Sequence, residues 1–390
     1  MRIFAIVLFY PIGRPGAAFG YTDSTMNKQI LSEARRLANE VFRPHAETAD
    51  QGALDGQVET NVRLLAKAGY FGLGITPEYG GFGANEATRR EYTELMASAC
   101  GVTAFTQQQL HAGGNFVGGA RSEALKQEKL PRFASGEELC GVAFSHLRRL
   151  GSPMVQAERV EGGYNVNGTA PWITGWGILD SFILGAVRLP ENDHIYFYVP
   201  KLGNEAALQP GMRLPLAVMN ASDTVEVSFS GLFLPDEYVL YECPTDALQR
   251  SDYCNISGHV FLPLGCARGS VHYMQTLAEK RGKENFFHAA DEFRREIDAC
   301  RLEALTWSGA CADLPDYKKH ALHVRANAIV LAVRAAHAAI TATGGSAHLL
   351  TNPPQRLLRE AIFYTTLAQT PDAQTATLDL LISPECWSAG

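Results

Sequence analysis

The stretch Asn167-Gly168-Thr169-Ala170-Pro171-Trp172-Ile173-Thr174-Gly175 decides how this chain is read. A strand runs into Asn-Gly, and then into an aromatic, β-branched, Thr step. Asp180 to Val187 (DSFILGAV) reads as the next strand. Trp172 offers a large flat face, and Thr174 offers a hydroxyl and an amide two residues on. That pair suits a planar, partly polar ring held against a sheet. A buried Trp and a Thr in an ordinary strand would give the same spacing, so the stretch alone leaves both readings open.

The sequence around it switches period twice. Residues 26–137 read as helical: Ser24 and Thr25 can cap a helix starting near Met26, and Val58, Val62 and Leu65 make one buried stripe. Gly69 to Gly83 is rich in Gly and Pro and reads as loop. Residues 138–240 change to period two. Val155 to Val160, a turn at Gly162-Gly163, and Tyr164-Asn165-Val166 read as a hairpin, and Ile195 to Val199 as a further strand. From 241 to 390 the helical period returns. Tyr317 to Thr343 has no Pro or Gly, and after His320 it is mostly Ala, Val, Leu and Ile, which reads as a buried helix stopped by Gly344-Gly345.

Composition sets limits. With 390 residues, 46% apolar and 19% charged, the chain has material for a large core. Its net charge of −7 argues against a general nucleic-acid binder, which would need a basic face. Cys100, Cys140, Cys243, Cys254, Cys266, Cys300, Cys311 and Cys386 are scattered without a Cys-x-x-Cys. Neither a zinc site nor a disulfide framework is suggested, and reduced thiols fit a cytoplasmic enzyme. The apolar run Ile3 to Tyr10 is too short to span a bilayer, so no membrane span is expected there. Residues 1–25 read as a disordered leader rather than a signal peptide.

Five segments in order resemble the acyl-CoA dehydrogenase superfamily. They are Gly72-Leu73-Gly74-Ile75-Thr76-Pro77-Glu78-Tyr79-Gly80-Gly81; Gly141-Val142-Ala143-Phe144-Ser145; the Trp172 segment; Val225 to Phe229 with Leu234-Pro235; and Gly344-Gly345 followed by Arg356-Leu357-Leu358-Arg359-Glu360-Ala361. The resemblance runs from about Met26 to Leu381. It implies an α+β fold: an N-terminal helical domain, a central β-sheet or barrel domain, and a C-terminal four-helix bundle that assembles dimers or tetramers. It also implies FAD as cofactor and an acyl thioester, of CoA or a carrier protein, as substrate. Trp172 would pack on the flavin ring and Thr174 would hydrogen-bond near its reactive nitrogen. Phe144, Ser145, Ile173, Gly344, Gly345 and Thr370 complete the cofactor contacts that the resemblance implies.

The departures from the family carry as much information. Its glutamate base lies nine residues past the arginine of an Arg-Asp-Ala step, and counting from Arg359 lands on Ala368. Some members place the base ten residues before the glycine of a Leu-Gly step, and counting back from Gly265 gives Asn255. Neither residue takes a proton, yet dehydrogenation needs a base within about 3 Å of the proton removed. The family's Thr-Glu-Pro reads Ser145-His146-Leu147, its glutamine before Gly-Gly reads Thr341, and its Arg-x-x-Phe-Gly has no clear match after Arg281.

His111, ahead of the glycine pair Gly113-Gly114, and His146, beside the flavin strand, are the candidate catalytic residues, since histidine titrates near neutrality. Each also reads as a structural histidine. His259 and Asp372 are weaker candidates. Arg148 and Arg149 could bind a phosphate or a substrate carboxylate, or form a solvated loop. Three functions stay in play. One is an acyl-thioester α,β-dehydrogenase with a non-standard base, served by an electron acceptor. Another is a monooxygenase or oxidase using oxygen and reduced flavin from a flavin reductase. The last is a flavin-binding scaffold without catalysis.

Overall fold

The computed structural model describes residues 24–52, 54–309 and 312–383. The leader expected over 1–25 lies outside them up to residue 23. Helices come first: α1 (Ser24–Arg36), α2 (Ala46–Gln51), α3 (Glu59–Lys67), α4 (Glu86–Ala99), α5 (Gly101–Gly118) and α6 (Glu123–Ser135). Side chains set where two of them begin. Asn85 accepts a hydrogen bond from the Thr88 amide, and Ser122 from that of Leu125, which satisfies amides left free in a first helical turn. The stripe of Val58, Val62 and Leu65 is buried as its spacing implies.

Eight strands follow: β1 (Cys140–Ala143), β2 (Val155–Val160), β3 (Gly163–Ile173), β4 (Ser181–Leu189), β5 (Asp193–Pro200), β6 (Leu208–Arg213), β7 (Val225–Pro235) and β8 (Val239–Cys243). They form one sheet in the order β6-β7-β3-β2-β4-β5-β8. β1 and β2 share one edge of β4: β1 runs parallel along Ser181 to Leu184, and β2 along Val187 to Leu189. The β2–β3 hairpin pairs as expected from the alternation, with Gly162 at φ +76° in its turn.

The Asn167-Gly168 step lies within a strand. β3 runs through it with a register shift between Val166 and Gly168. Gly168 has φ +126°, and a Cβ there would lie 2.0 Å from the Met154 carbonyl oxygen. Only glycine fits such a bulge, so a signal that usually marks a turn marks a bend within the strand.

The last helices are α7 (Asp246–Cys254), α8 (Phe261–Arg281), α9 (Glu284–Thr306), α10 (Tyr317–Thr343), α11 (Pro353–Thr366) and α12 (Pro371–Ile382). α8, α9, α10 and α11 pack on one another as a bundle, and α4 lies along α8. α10 is apolar and long enough to cross a membrane, but it is packed among α8, α9, α11 and α12. It stops where Gly344 takes φ +81°, as its sequence implies.

A buried ion cluster ties the first helices to the last. Arg356 donates to both oxygens of Glu360, at 2.8 and 2.9 Å, and to Glu47 at 3.0 Å. Glu360 in turn accepts from the Gly101 amide at the start of α5, at 3.1 Å. A carboxylate is favoured there because the first amides of a helix have no internal partner. A Cβ on Gly101 would sit 2.5 Å from the Glu360 carboxyl carbon, so that first position must be glycine.

His146 belongs to the core. Its Nε2 donates to the Gly185 carbonyl at 2.9 Å, which fixes the turn after β1 on β4. Burial pushes its pKa down to about 4; the Gly185 carbonyl acts in the opposite direction, and Arg149 and His194 add to the lowering. The catalytic role expected for His146 is therefore replaced by a structural one: its ring is engaged with the sheet.

Two outcomes follow. Glu360→Ala leaves the fully buried Arg356 with only Glu47, and Gly101→Ala drives a methyl into the carboxylate. Chemical unfolding should show losses of about 3 kcal/mol for the first and about 1–3 kcal/mol for the second. A fully stable Glu360→Ala would refute this role. For His146, the unfolded side chain takes a proton below its ordinary 6.5, whereas the folded one resists until about 4. Its contribution is thus whole above that window and lost as pH falls through it. The drop in urea midpoint between neutral pH and the acid end of the window should be smaller in His146→Gln, and equal drops would count against it.

Candidate active site

The sheet and helices enclose a cavity of about 470 Å³. That size is in the range of small-molecule sites, roughly 300–1,000 Å³. One wall is the end of β3. The register shifts again between Ala170 and Ile173, which breaks the alternation there. Pro171 and Ile173 are buried, while Trp172 turns out with 45% of its surface exposed and lines the cavity. The bulge therefore presents an indole face that a regular strand would have kept in the core. Ile173, expected as a cofactor contact, is fully buried and is not in the lining. Thr174 does line the cavity; its hydroxyl pairs with that of Thr224 at 3.0 Å, and Ser222 joins Thr224 at 2.9 Å.

Phe144 and Ser145, where β1 gives way to a short turn, also line the cavity. Gly344, Gly345 and Thr370 do not. The two glycines are exposed past the end of α10, and Thr370 caps α12 by accepting from the Ala373 amide at 3.3 Å. Asp372 is exposed and paired with Lys318 at 2.8 Å.

Helix α5 supplies the facing wall through Phe105, Gln108, Gln109, His111 and Asn115. The glycine pair after His111 is not a flexible hinge, as its composition suggests. It lies inside α5, and a Cβ on Gly113 would fall 2.5 Å from the Cys140 Sγ. Glycine lets the helix pack directly on β1, which brings His111 to the cavity. The His111 Nδ1 is buried with no hydrogen-bond partner. Burial pushes its pKa down to about 4; the Gln107 carbonyl acts in the opposite direction, and Arg89 adds to the lowering. The imidazole is therefore neutral at physiological pH and able to accept a proton or a hydrogen bond.

Both vacated base positions face the same cavity. Ala368 follows α11 with φ +49°, a left-handed conformation that alanine adopts at a cost. Arg325, from α10, holds that conformation by donating from Nη2 to the carbonyls of Leu367 at 3.0 Å and Ala368 at 2.8 Å. Asn255 lies on the other side of the opening, with its amide bound to the Ser251 carbonyl at 3.0 Å. Four residues on, His259 lines the cavity too. No Asp or Glu belongs to the lining among the described residues. Arg148 does, clamped by its Nε and Nη2 to Asp252 at 2.8 Å each, whereas Arg149 is exposed and reaches only the Met154 sulfur.

Sequence reasoning missed Arg325, although one signal was available. It is an arginine inside a run of Ala, Val, Leu and Ile, and an isolated charge in a buried helix marks a polar task. The contribution of Leu216, Ala217 and Val218 to the lining left no such mark.

The residues present fit a planar aromatic cofactor. The outward Trp172 ring offers a stacking face, and Thr174, Thr224 and His111 bring polar side chains to the same cavity lining.

Comparison with known proteins agrees with this architecture. A family model described as acyl-CoA dehydrogenase, N-terminal domain, matches residues 24–137. The mitochondrial isovaleryl-CoA dehydrogenase of Solanum tuberosum is 25% identical over 370 residues, covering 88% of this chain and 87% of the relative. Among solved structures, butyryl-CoA dehydrogenase from Megasphaera elsdenii shares the fold with a TM-score of 0.78 at 18% identity, over 93% of this chain and 99% of that one. The dibenzothiophene monooxygenase of Paenibacillus sp. A11-2 shares it with a TM-score of 0.73 at 18% identity, over 91% and 97%. The family model over residues 24–137, the relatives along most of the chain and the shared helix–sheet–helix fold together support the acyl-CoA dehydrogenase superfamily.

Proposed function

We propose that this protein is an FAD-dependent oxidoreductase that oxidises an acyl thioester, of CoA or a carrier protein, across its Cα–Cβ bond, with His111 as the proton acceptor. The observation that carries the reading is one cavity that brings an outward Trp172 face together with a neutral imidazole, His111. When bound, the flavin supplies the two-electron acceptor, and a separate protein or small acceptor reoxidises it. The chain's own residues bind, orient and move the proton. Trp172 holds the ring plane, while Thr174 and Thr224 fix hydroxyls at its edge. His111 takes the Cα proton, a role open to it because neither Ala368 nor Asn255 can fill it. The burial that keeps His111 neutral also opposes its imidazolium form, so proton removal by this route is slower than by a carboxylate. A homodimer or homotetramer agrees with the apolar side chains Ile362, Leu378 and Leu381, which α11 and α12 leave exposed.

A second reading has its own observation. A lining with no carboxylate suits oxygen chemistry on reduced flavin, which needs no base for a Cα proton. In that case a flavin reductase is the partner and the enzyme is a monooxygenase or oxidase.

The test is anaerobic. The flavin-loaded protein is titrated with a series of acyl-CoA thioesters while the oxidised band, near about 450 nm, is followed. Bleaching is expected, and His111→Ala should slow it by roughly 10²–10⁴-fold while flavin is retained. Unchanged bleaching in His111→Ala would remove the proposed base. No bleaching, with rapid oxygen uptake once reduced flavin is supplied, would select the second reading. Neither response would leave a scaffold without catalysis.

A further inference from the structure

Three guanidinium groups act on His259, and one of them, Arg148, lines the cavity. It is clamped to Asp252 through Nε and Nη2, which leaves its Nη1 without a hydrogen bond to the described residues. Arg90 donates to the Gly258 carbonyl at 2.7 Å and pairs with Glu86, which is largely at the surface. Arg325 is only 3% exposed, has no carboxylate partner among the described residues, and carries a buried Nε with no acceptor. Asp252 pairs with Arg148 and also acts on Arg325, and Glu86 pairs with Arg90, so three guanidinium groups face two carboxylates and Arg325 has none of its own in contact. The imidazole of His259 reflects the imbalance. Its protonation is opposed first by burial and then by Arg325, Arg90 and Arg148, with no acidic side chain acting in the other direction.

A buried, uncompensated cation is costly, and an anion brought into its field offsets that cost. We propose that the cavity selects an acyl thioester whose acyl group ends in a carboxylate, received by the open Nη1 of Arg148 in the field of Arg325. The site lies next to the vacated base positions. Arg325 holds the Ala368 carbonyl, and Asn255 stands one turn before His259. The anion therefore belongs to the acyl group, near the reacting end, rather than to a nucleotide phosphate at the surface. An ordinary acyl chain would leave Arg148 Nη1 dry and unpaired, a penalty that a carboxylate removes. The same field stabilises negative charge developing on the thioester when its Cα proton leaves, which eases the burden on a weak imidazole base.

This inference rests on the acyl-thioester reading, and one experiment separates the two. Flavin-loaded wild-type protein is titrated by calorimetry with pairs of CoA thioesters equal in chain length: adipoyl against hexanoyl, and glutaryl against valeryl. The carboxylated member of at least one pair should bind roughly tenfold more tightly or better. Arg148→Met should narrow that preference. Arg148→Lys, which keeps the charge and a partner for Asp252, should retain part of it even if the methionine variant folds poorly. Equal affinity within both pairs would overturn the carboxylate inference and leave the thioester reading standing. Absence of binding by all four thioesters would overturn both. Loss of flavin from Arg148→Met, with equal affinities in the wild type, would assign the cation to the cofactor's phosphate and overturn the inference as well.

Discussion

The carboxylate of Glu360, held by Arg356 at the first turn of α5, is the contact on which the rest of the site depends. It joins two elements that carry opposite sides of the cavity. α5 begins at Gly101 and brings His111 to the lining; α11 contains Glu360 and leads directly to Ala368. A second cluster works in the same direction, with Arg359 of α11 paired to the buried Asp50 of α2. Buried ion pairs contribute little net stability compared with apolar packing, but removing one partner is expensive. Such pairs fix geometry more than they add stability. Here the fixed geometry is the separation between the helix that offers an imidazole and the loop that, in related sequences, would offer a carboxylate.

The same logic explains why Ala368 keeps a left-handed backbone although it carries no catalytic side chain. Arg325 captures two successive carbonyls, at Leu367 and Ala368, and buries a guanidinium to do so. The conformation is imposed by that arginine rather than by the alanine. The loop's shape is held from α10, and the lining around it carries no carboxylate.

Much of the fold was legible because periodicity records burial. The α10 span, the β2–β3 hairpin and the Val58–Val62–Leu65 stripe each follow from apolar spacing alone. Ala368 and Asn255, the positions that the register count reaches, both line the cavity. What misled were residues whose meaning depends on distant partners. Gly168 and Gly113 are each glycine because another segment comes within a methyl's reach, the Met154 carbonyl for one and Cys140 for the other. His146 and His111 look alike in sequence, and only the third dimension separates a ring whose Nε2 is bound to Gly185 from one that lines the cavity. Gly344, Gly345 and Thr370 lie outside the lining, so the resemblance alone supports them as cofactor contacts.

Removing a carboxylate from a flavin-type cavity has two physical consequences that act in opposite directions. Proton abstraction becomes harder, because a buried imidazole resists the charge it must acquire. Anion stabilisation becomes easier, because no carboxylate of the lining competes with the ligand for the arginines. An enzyme in this position gains little from a neutral substrate whose Cα–H must be broken by the imidazole alone. It gains more from a substrate that brings its own negative charge, or from chemistry in which a proton is not the first thing to leave. The Trp172 bulge is compatible with either outcome, since it shapes a ring-binding face without choosing the reaction. The choice lies with the electrostatics of α5, the Asn255–His259 segment and the Ala368 loop, which bring no carboxylate to the cavity lining.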